Sequence, residues 1–209
     1  LTSVSHDLRT PLASILGSAT SLRQLGDRMD ARDRADLLLT IEEEATRLSA
    51  FVANLLDMTR LESGVLNIRR DWVDLHDVVS GAAARATRLF PACRTEMQLD
   101  ADLPLVRGDA ALLEQVVFNL LDNAHKYSPA SSVTTVAVRR SAGGVDLIVS
   151  DQGSGIPADE LSKVFDKFHR VAVSDGRAPG TGLGLSIAAA IVTALGGTIS
   201  AQSPVVDGK

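Results

Sequence analysis

His6 and Asp7 stand side by side in SVSHDLRTPLASI, residues 3–15, and this pair is the first place in the chain where chemistry is available. A neutral imidazole nitrogen is a competent nucleophile near its ordinary pKa of about 6.5. An adjacent carboxylate can hold the ring's other N–H, fix the tautomer and leave the free nitrogen to attack. Thr10 lies four residues on and so shares the helical face of His6. Pro11 lacks an N–H and would loosen the helix just there. Taken alone, such a pair is more often a solvated surface feature than a nucleophile.

A second constellation lies in EQVVFNLLDNAHKYSP. Gln115, Asn119, Asn123 and Lys126 recur at helical spacing on one polar face, with Val116, Leu120 and Ala124 as a neighbouring apolar strip expected to face a sheet. Amide oxygens suit a hard divalent ion such as Mg2+, which keeps few protein ligands beside phosphate oxygens; Glu114 could add a carboxylate and Lys126 a cation. An ordinary solvated face would carry more Lys and Glu and fewer of the poorly helix-forming Asn.

In SDQGSGIP, Asp151 could accept from an exocyclic amine, while Gly153 and Gly155 let backbone approach a flat ring; a plain turn explains the stretch about as well. In PGTGLGLSI, Gly180, Gly182 and Gly184 precede or open a helix, where exposed N–H groups can bind phosphate. That segment lacks both the Walker Lys-Ser/Thr ending and a preceding Rossmann unit, and a bland helix-entry turn competes with the phosphate reading. In VFDKFHR, Phe165 reads as a core anchor, and Lys167 and Arg170 could close over phosphates. His76, His125 and His169 show no mutual metal-ligand spacing and are assigned no function.

The elements that must carry these groups fall into two textures. Val4, Leu8, Leu12, Ile15, Ala19 and Leu22 mark one helix face, and Leu38, Ile41, Ala45, Leu48, Val52 and Leu55 mark a second with heptad-like steps. GDRMD joins them; Asp30 is the expected N-cap and Gly64 the expected stop of the second helix. One hairpin buries little, so pairing two into a dimeric four-helix bundle is expected. From Gly64 onwards the pattern becomes mixed. VLNIRRDWV and TEMQL read as strands and DLHDVVSGAAARATRLF as a helix capped by Asp74. DADLPLVRGD reads as a loop, and a helix follows from Asp109 to Tyr127. VTTVAVRR and VDLIVSD make a hairpin, ADELSKVFDKF a helix, 171–180 a polar loop, Leu183–Leu195 a helix and TISAQS a last strand. This is an α+β pattern, with helices on one face of a sheet.

Composition narrows the classes. Apolar residues make up 45%, charged residues 22% and aromatics 3%, as in a globular chain whose core is aliphatic. The net charge of −5 gives no basic footprint for direct nucleic-acid binding. A single cysteine, Cys93, excludes an internal disulfide and points to a reducing compartment. No apolar run reaches the roughly 18 residues of a membrane span. The opening LTSVSH and the ending SAQSPVVDGK read as cuts from a longer protein.

The order of the motifs carries more weight than any one of them. SHDLRTPL, NLLDNAHKYS, DQGSGIP, VFDKFHR and GTGLGLSI resemble, in sequence, the H, N, G1, F and G2 boxes of sensor histidine kinases. SHDLRTPLASILGSATSL, NLLDMTRLESG and RRDWVDL look more narrowly like the potassium-sensing Kdp branch of that family. The resemblance implies an all-α dimerisation and phosphotransfer hairpin, residues 1–64, followed by an α+β Bergerat-type ATP-binding sandwich, residues 65–209. It implies His6 as phosphoacceptor, Asp7 as the acid that orients and activates it, and Thr10 as the position that helps place water in phosphatase members.

Asn119 and Asn123 would serve Mg2+ and phosphates, with Lys126 and Tyr127 lining the nucleotide. Asp151 would accept from the adenine amino group beside Gly153 and Gly155. Lys167, Phe168 and Arg170 would border the ATP site. Gly180, Thr181, Gly182, Leu183 and Gly184 would form the phosphate-contacting end of a lid running from about Val171 to Thr181. The implied partners are a second copy of the chain and a response-regulator receiver domain. The implied location is the cytoplasmic part of a bacterial inner-membrane sensor, tethered only through a missing N-terminal region.

Two departures stand out: Gln152 replaces a frequent Asn, and the strand that usually closes the sheet after GGTISAQS is absent. An ATPase of the same nucleotide fold, of the chaperone or topoisomerase kind, would explain the glycine loops but leave His6–Asp7 and the heptad hairpin without a use. A docking module that mainly dephosphorylates a regulator is the alternative from another class, which Thr10 keeps open.

Overall fold

The computed structural model describes residues 2–62, 68–129, 131–171 and 181–204, and leaves the side chains of residues 2–7, 27 and 60–62 undescribed. The chain divides into two compact units, Leu1–Thr59 and Arg60–Lys209.

The first unit is helical. α1 (Thr2–Leu25) and α2 (Ala31–Glu62) are joined by a 3-10 turn, Gly26–Arg28. α1 runs unbroken through Pro11, which is buried, so the missing N–H removes a rung without ending the helix. Asp30 starts α2: its carboxylate accepts from the Asp33 N–H at 2.8 Å, satisfying one of the donors that a helix start leaves open. The expected stop at Gly64 lies outside the described residues. Much of the apolar stripe is exposed on the single chain: Leu12 is 51% and Leu38 52% accessible, although Phe51 and Met58 are buried.

The second unit holds β1 (Asp71–Val73), α3 (Leu75–Leu89), β2 (Arg94–Leu99), β3 (Val106–Gly108), α4 (Ala110–Tyr127), β4 (Val133–Ser141), β5 (Gly144–Ser150) and α5 (Gly184–Ala194). β2, β4 and β5 form a sheet in that order, with β2 parallel to β4 and β4 antiparallel to β5. The parallel pair needs a crossover, and α4 lies within it. β1 pairs with β3 as a small antiparallel ribbon. The core joins Val78, Val79, Ala82 and Ala86 of α3, Val117, Phe118 and Leu121 of α4, and Val136 and Val138 of β4. Val145, Leu147 and Val149, alternate residues of β5, pack against the same core, while Ile148 between them is exposed. Helices therefore cover one face of the sheet, as the α+β pattern implies.

Both long helices of this unit start on an aspartate. Asp74 accepts from the His76 N–H at 2.8 Å, and Asp109 accepts from Ala111 and Leu112 at 3.1 and 3.3 Å.

Five expectations change. The expected strand VLNIRRDWV shrinks to Asp71–Val73, with residues 63–67 outside the described set. The expected loop at 100–109 contains β3, which exists because β1 lies alongside it. ADELSKVFDKF is a chain of turns rather than a helix, with Lys163 bonded back to Glu160 and Asp166 to Lys163, each three residues earlier. TISAQS forms no strand, because no described residue offers it a ladder partner. On α4, the residues that reach the sheet-side core are Val117, Phe118 and Leu121 rather than the strip Val116, Leu120 and Ala124; Val116 and Ala124 are buried elsewhere, α4 being packed against both α3 and α5.

Candidate functional site

α4 organises the site. Its start is fixed by the Asp109 cap, its apolar face is sunk in the core, and its remaining side carries the amides. Asn119 is only 5% exposed and Gln115 and Asn123 are half-buried, so the amides are recessed, whereas Lys126 at the end of the same face is exposed. Its Nδ2 donates to the carbonyl of Gly184 at 3.2 Å, and its Oδ1 accepts from Gln115 Nε2 at 3.1 Å. Gly184 is the first residue of α5, so one end of the amide face is joined to the glycine-rich helix entry. Leu183, at the N-cap of α5, provides no side-chain cap; it is fully buried, and its own N–H donates to Thr181 Oγ1 at 3.3 Å.

Two turns further on, the C-terminal end of α4 meets the other glycine loop. A Cβ built on Gly153 would lie 2.7 Å from the Tyr127 carbonyl oxygen and 2.7 Å from Asp151 Oδ1, so only glycine fits without movement. The Gly153 N–H donates to Asp151 Oδ1 at 2.7 Å, and Ser128 Oγ donates to the same oxygen at 3.4 Å. These bonds aim the carboxylate while leaving Asp151 itself exposed. Gly155 has φ +75° and approaches the Ser203 hydroxyl, which accepts from the Ile156 N–H at 2.8 Å. The segment expected to be a last strand is thus anchored to this loop by a side chain. Gln152 turns the other way: its Oε1 accepts from the Val133 N–H at 3.3 Å.

Phe168 and Gly182 are drawn together. The Phe168 N–H donates to the Gly182 carbonyl at 3.0 Å, with Phe168 at φ 61° and Gly182 at φ +69°. Any Cβ at Gly182 would sit 2.8 Å from the His169 carbonyl oxygen and 2.9 Å from the Phe168 carbonyl carbon. Residues 172–180, including the expected phosphate glycine Gly180, lie outside the described set.

The charged groups around α4 are partly matched. Lys126 pairs with Asp122 one turn back on α4. Burial pushes the Tyr127 phenol above its ordinary pKa, and the positive Arg170 opposes that rise, which puts Arg170 within electrostatic range of Tyr127. His169 Nε2 lies 2.6 Å from Glu160, whose carboxyl is held below the usual range first by the Lys163 hydrogen bond and then by His169. Asn123 is half-buried and Lys167 exposed. Glu114 sits apart from the amide face, against Gly81 of α3. It lines a cavity of about 480 Å3 with Asp71, Asp74, Asp77 and Asp109, whose charge is wrong for a polyphosphate.

In the helical unit, His6 and Asp7 lie in α1 and Thr10 is exposed on it. The side chains of His6 and Asp7 are outside the described residues. The groups that sequence reasoning missed are Ser128, Ser203 and Arg85. Ser128 directly follows Tyr127 and could have been read as part of the same motif, whereas Ser203 and Arg85 reach the site only through the fold.

The residues present fit a magnesium nucleotide. Asn119 Oδ1 accepts one bond among the described residues and keeps a second lone pair for a hard ion, while the Gly153 cradle leaves an exposed carboxylate for a base.

Comparison with known proteins gives the family. The His Kinase A phospho-acceptor domain model matches residues 1–64, and the model of histidine kinase-, DNA gyrase B- and HSP90-like ATPases matches residues 108–209. The chain belongs to the sensor histidine kinases of two-component systems, and its second unit is an ATP-binding domain of that ATPase family. Within the family it is most like the Kdp type: it is 38% identical over 203 residues to the sensor protein KdpD of Clostridium acetobutylicum, covering 96% of this chain and 22% of that protein. The chain thus spans about a fifth of the length of that relative.

The solved structure of the Acinetobacter baumannii histidine kinase AdeS is 26% identical with a TM-score of 0.71, covering 95% of this chain and 91% of that one. That of the mycobacterial sensor histidine kinase MprB is 32% identical with a TM-score of 0.57, covering 66% of this chain and 89% of that one. Among the described residues, no helix is long and apolar enough to cross a membrane.

Proposed function

We propose that this chain is the autokinase core of a potassium- or osmolarity-responsive sensor, with residues 1–64 as dimerisation and phosphotransfer domain and residues 65–209 as catalytic domain. The observation that carries the catalytic reading is the position of α4 between the two glycine loops, Asn119 joined to Gly184 and Tyr127 against Gly153. Those contacts are eight residues apart, about 12 Å along the helix, enough to hold opposite ends of an extended nucleotide. Asp151 receives the adenine amino group, and Gly153 and Gly155 let backbone lie against the ring. Asn119 and Asn123 hold Mg2+, which when bound neutralises phosphate charge. Lys126, Tyr127, Lys167, Phe168 and Arg170 border the nucleotide, and residues 180–184 meet its phosphates.

In the first reaction, an imidazole nitrogen of His6 attacks the γ-phosphorus, an N–P bond forms, the bond to the β,γ-bridging oxygen breaks and ADP leaves. Asp7 holds the proton on the other ring nitrogen and stabilises the developing imidazolium. A response-regulator aspartate then takes the phosphoryl group. Thr10 positions water for the reverse task, removal of phosphate from the regulator. The exposed stripes of α1 and α2 support a homodimer, and the likeness to Kdp sensors supports a cytoplasmic position within a membrane-anchored bacterial protein.

The test is transfer of γ-labelled phosphate from Mg-ATP to the chain and to a His6→Gln variant, with nucleotide binding followed in both. Acid-labile label on the parent alone is the expected result. Equal labelling of both would remove His6 from the role, and tight binding without any label would favour a regulator-docking phosphatase.

A further inference from the structure

A chain of side chains crosses from α3 to α5 through the amides Gln115 and Asn119, and its polarity is fixed at both ends. Arg85 of α3 lies with its guanidinium 3.7 Å from the centroid of the Phe118 ring, and its Nη1 donates to Gln115 Oε1 at 3.5 Å. Gln115 Nε2 donates to Asn119 Oδ1, and Asn119 Nδ2 donates to the Gly184 carbonyl. A guanidinium has only donors and a peptide carbonyl only acceptors. The two amides between them therefore satisfy the chain in one orientation. Reversing Asn119 would set its Nδ2 against Gln115 Nε2 and its Oδ1 against the Gly184 carbonyl, in a position only 5% exposed. Reversing both amides would set Gln115 Nε2 against the guanidinium.

We infer that Arg85 and Gln115 are positioning residues: they fix which atom of the Asn119 amide is oxygen at the nucleotide face, and through Asn119 they hold the first turn of α5 to α4. The inference rests on the functional reading above and deepens it. Gln115 and Asn119 are one turn apart on α4, so their contact comes from helical geometry, but its direction is imposed from outside α4. Arg85 supplies that direction, and its stacking on Phe118 keeps the guanidinium in place. The Asn119 oxygen then keeps one lone pair toward Gln115 and offers the other to Mg2+. Gly184 follows directly on the phosphate-loop residues 180–183, so the same amide links metal ligand and phosphate loop.

Two substitutions separate orientation from packing. Gln115→Met keeps the size and the apolar contacts but loses both bonds. Gln115→Glu keeps the size and pairs with Arg85 more strongly, but has no N–H for Asn119. We expect both to weaken binding of a fluorescent ATP analogue in Mg2+ by about tenfold, the effect of losing roughly one hydrogen bond of orientation. We expect the glutamate variant, which keeps a partner for Arg85, to melt no lower than the methionine variant. Weakening by Gln115→Glu alone would be a charge effect on the phosphates and would overturn the inference, as would parent-like affinity in both variants.

The second measurement needs no nucleotide. In the free protein, the side-chain amide protons of Asn119 should exchange slowly with solvent, and Gln115→Met should speed that exchange; unchanged exchange would overturn the inference. If the parent protects this amide yet binds no Mg-nucleotide, the functional reading fails while the oriented chain stands.

Discussion

The two units meet the same demand, covering apolar side chains, in opposite ways. In the α/β unit, Leu121, Val136 and Val138 are fully buried by helices and strands of the same chain. In the helical unit, Leu12, Leu16, Leu38 and Val52 remain 43–69% exposed on the single chain. One unit closes upon itself; the other presents a surface that a second copy would close. The contrast matches the division of labour proposed above, a self-contained nucleotide holder beside a phosphoacceptor that works as a pair.

The largest expected effect tests the closed unit. Leu121→Ala removes a fully buried side chain from the α3–α4–sheet core and should cost about 2–5 kcal/mol, read as a lower thermal midpoint and loss of nucleotide binding at elevated temperature. An unchanged midpoint would mean that the unit is not held together by this core. Next is the cradle. Gly153→Ala places a methyl 2.7 Å from the Tyr127 carbonyl, so either loop or helix end must shift. We expect nucleotide affinity to fall by about 30-fold, roughly 2 kcal/mol, with a much smaller change in melting. An equal loss of both would make Gly153 a folding residue rather than part of a site.

The third effect belongs to the open unit. Leu38→Glu puts a charge on the exposed stripe and should shift the chain from dimer to monomer in light scattering, while nucleotide binding by the α/β unit stays at the parent level. A dimer that tolerates the charge would break the comparison, because the stripe would not be the dimer surface.

The contrast also explains what could be read from the sequence. Local signals were legible: Asp30 and Asp74 before periodic runs became caps, the helix expected from Asp109 starts one residue later with Asp109 as its cap, and the alternation in VTTVAVRR and VDLIVSD became β4 and β5. What failed depended on distant partners. Leu161, Val164, Phe165 and Phe168 carry helical spacing, yet Phe168 is drawn to φ 61° beside Gly182, and its segment turns instead of coiling. TISAQS alternates like a strand but finds no partner among the described residues, while β3 emerges from a stretch without strand character because β1 lies beside it. The site followed the same rule. The expected end of α4 and the loop at 151–155 touch, at Tyr127 against Gly153 and at Ser128 against Asp151, but the burial of Asn119 and its chain to Arg85 arise from the packing of α3, α4 and α5, which no helical period records.

The smallest effect lies inside the closed unit, at a group outside the proposed chemistry. His125 is buried on α4, with its ring edge-on to Phe90 at the end of α3 and its Nε2 3.2 Å from the Thr95 hydroxyl of β2. Burial lowers its pKa below 6.5, and Asp122, one turn back, only partly opposes this. The folded state therefore resists a proton that the unfolded chain accepts. The resulting stability is fully present above pH 6.5 and is lost as pH falls through the lower folded value. Between pH 7.5 and 5 the urea midpoint of the parent should fall more than that of His125→Gln, whose amide can still meet Thr95 but takes up no proton. Parallel pH profiles for the two would mean that His125 is protonated in the folded protein without cost, and that the closed unit admits water at this point.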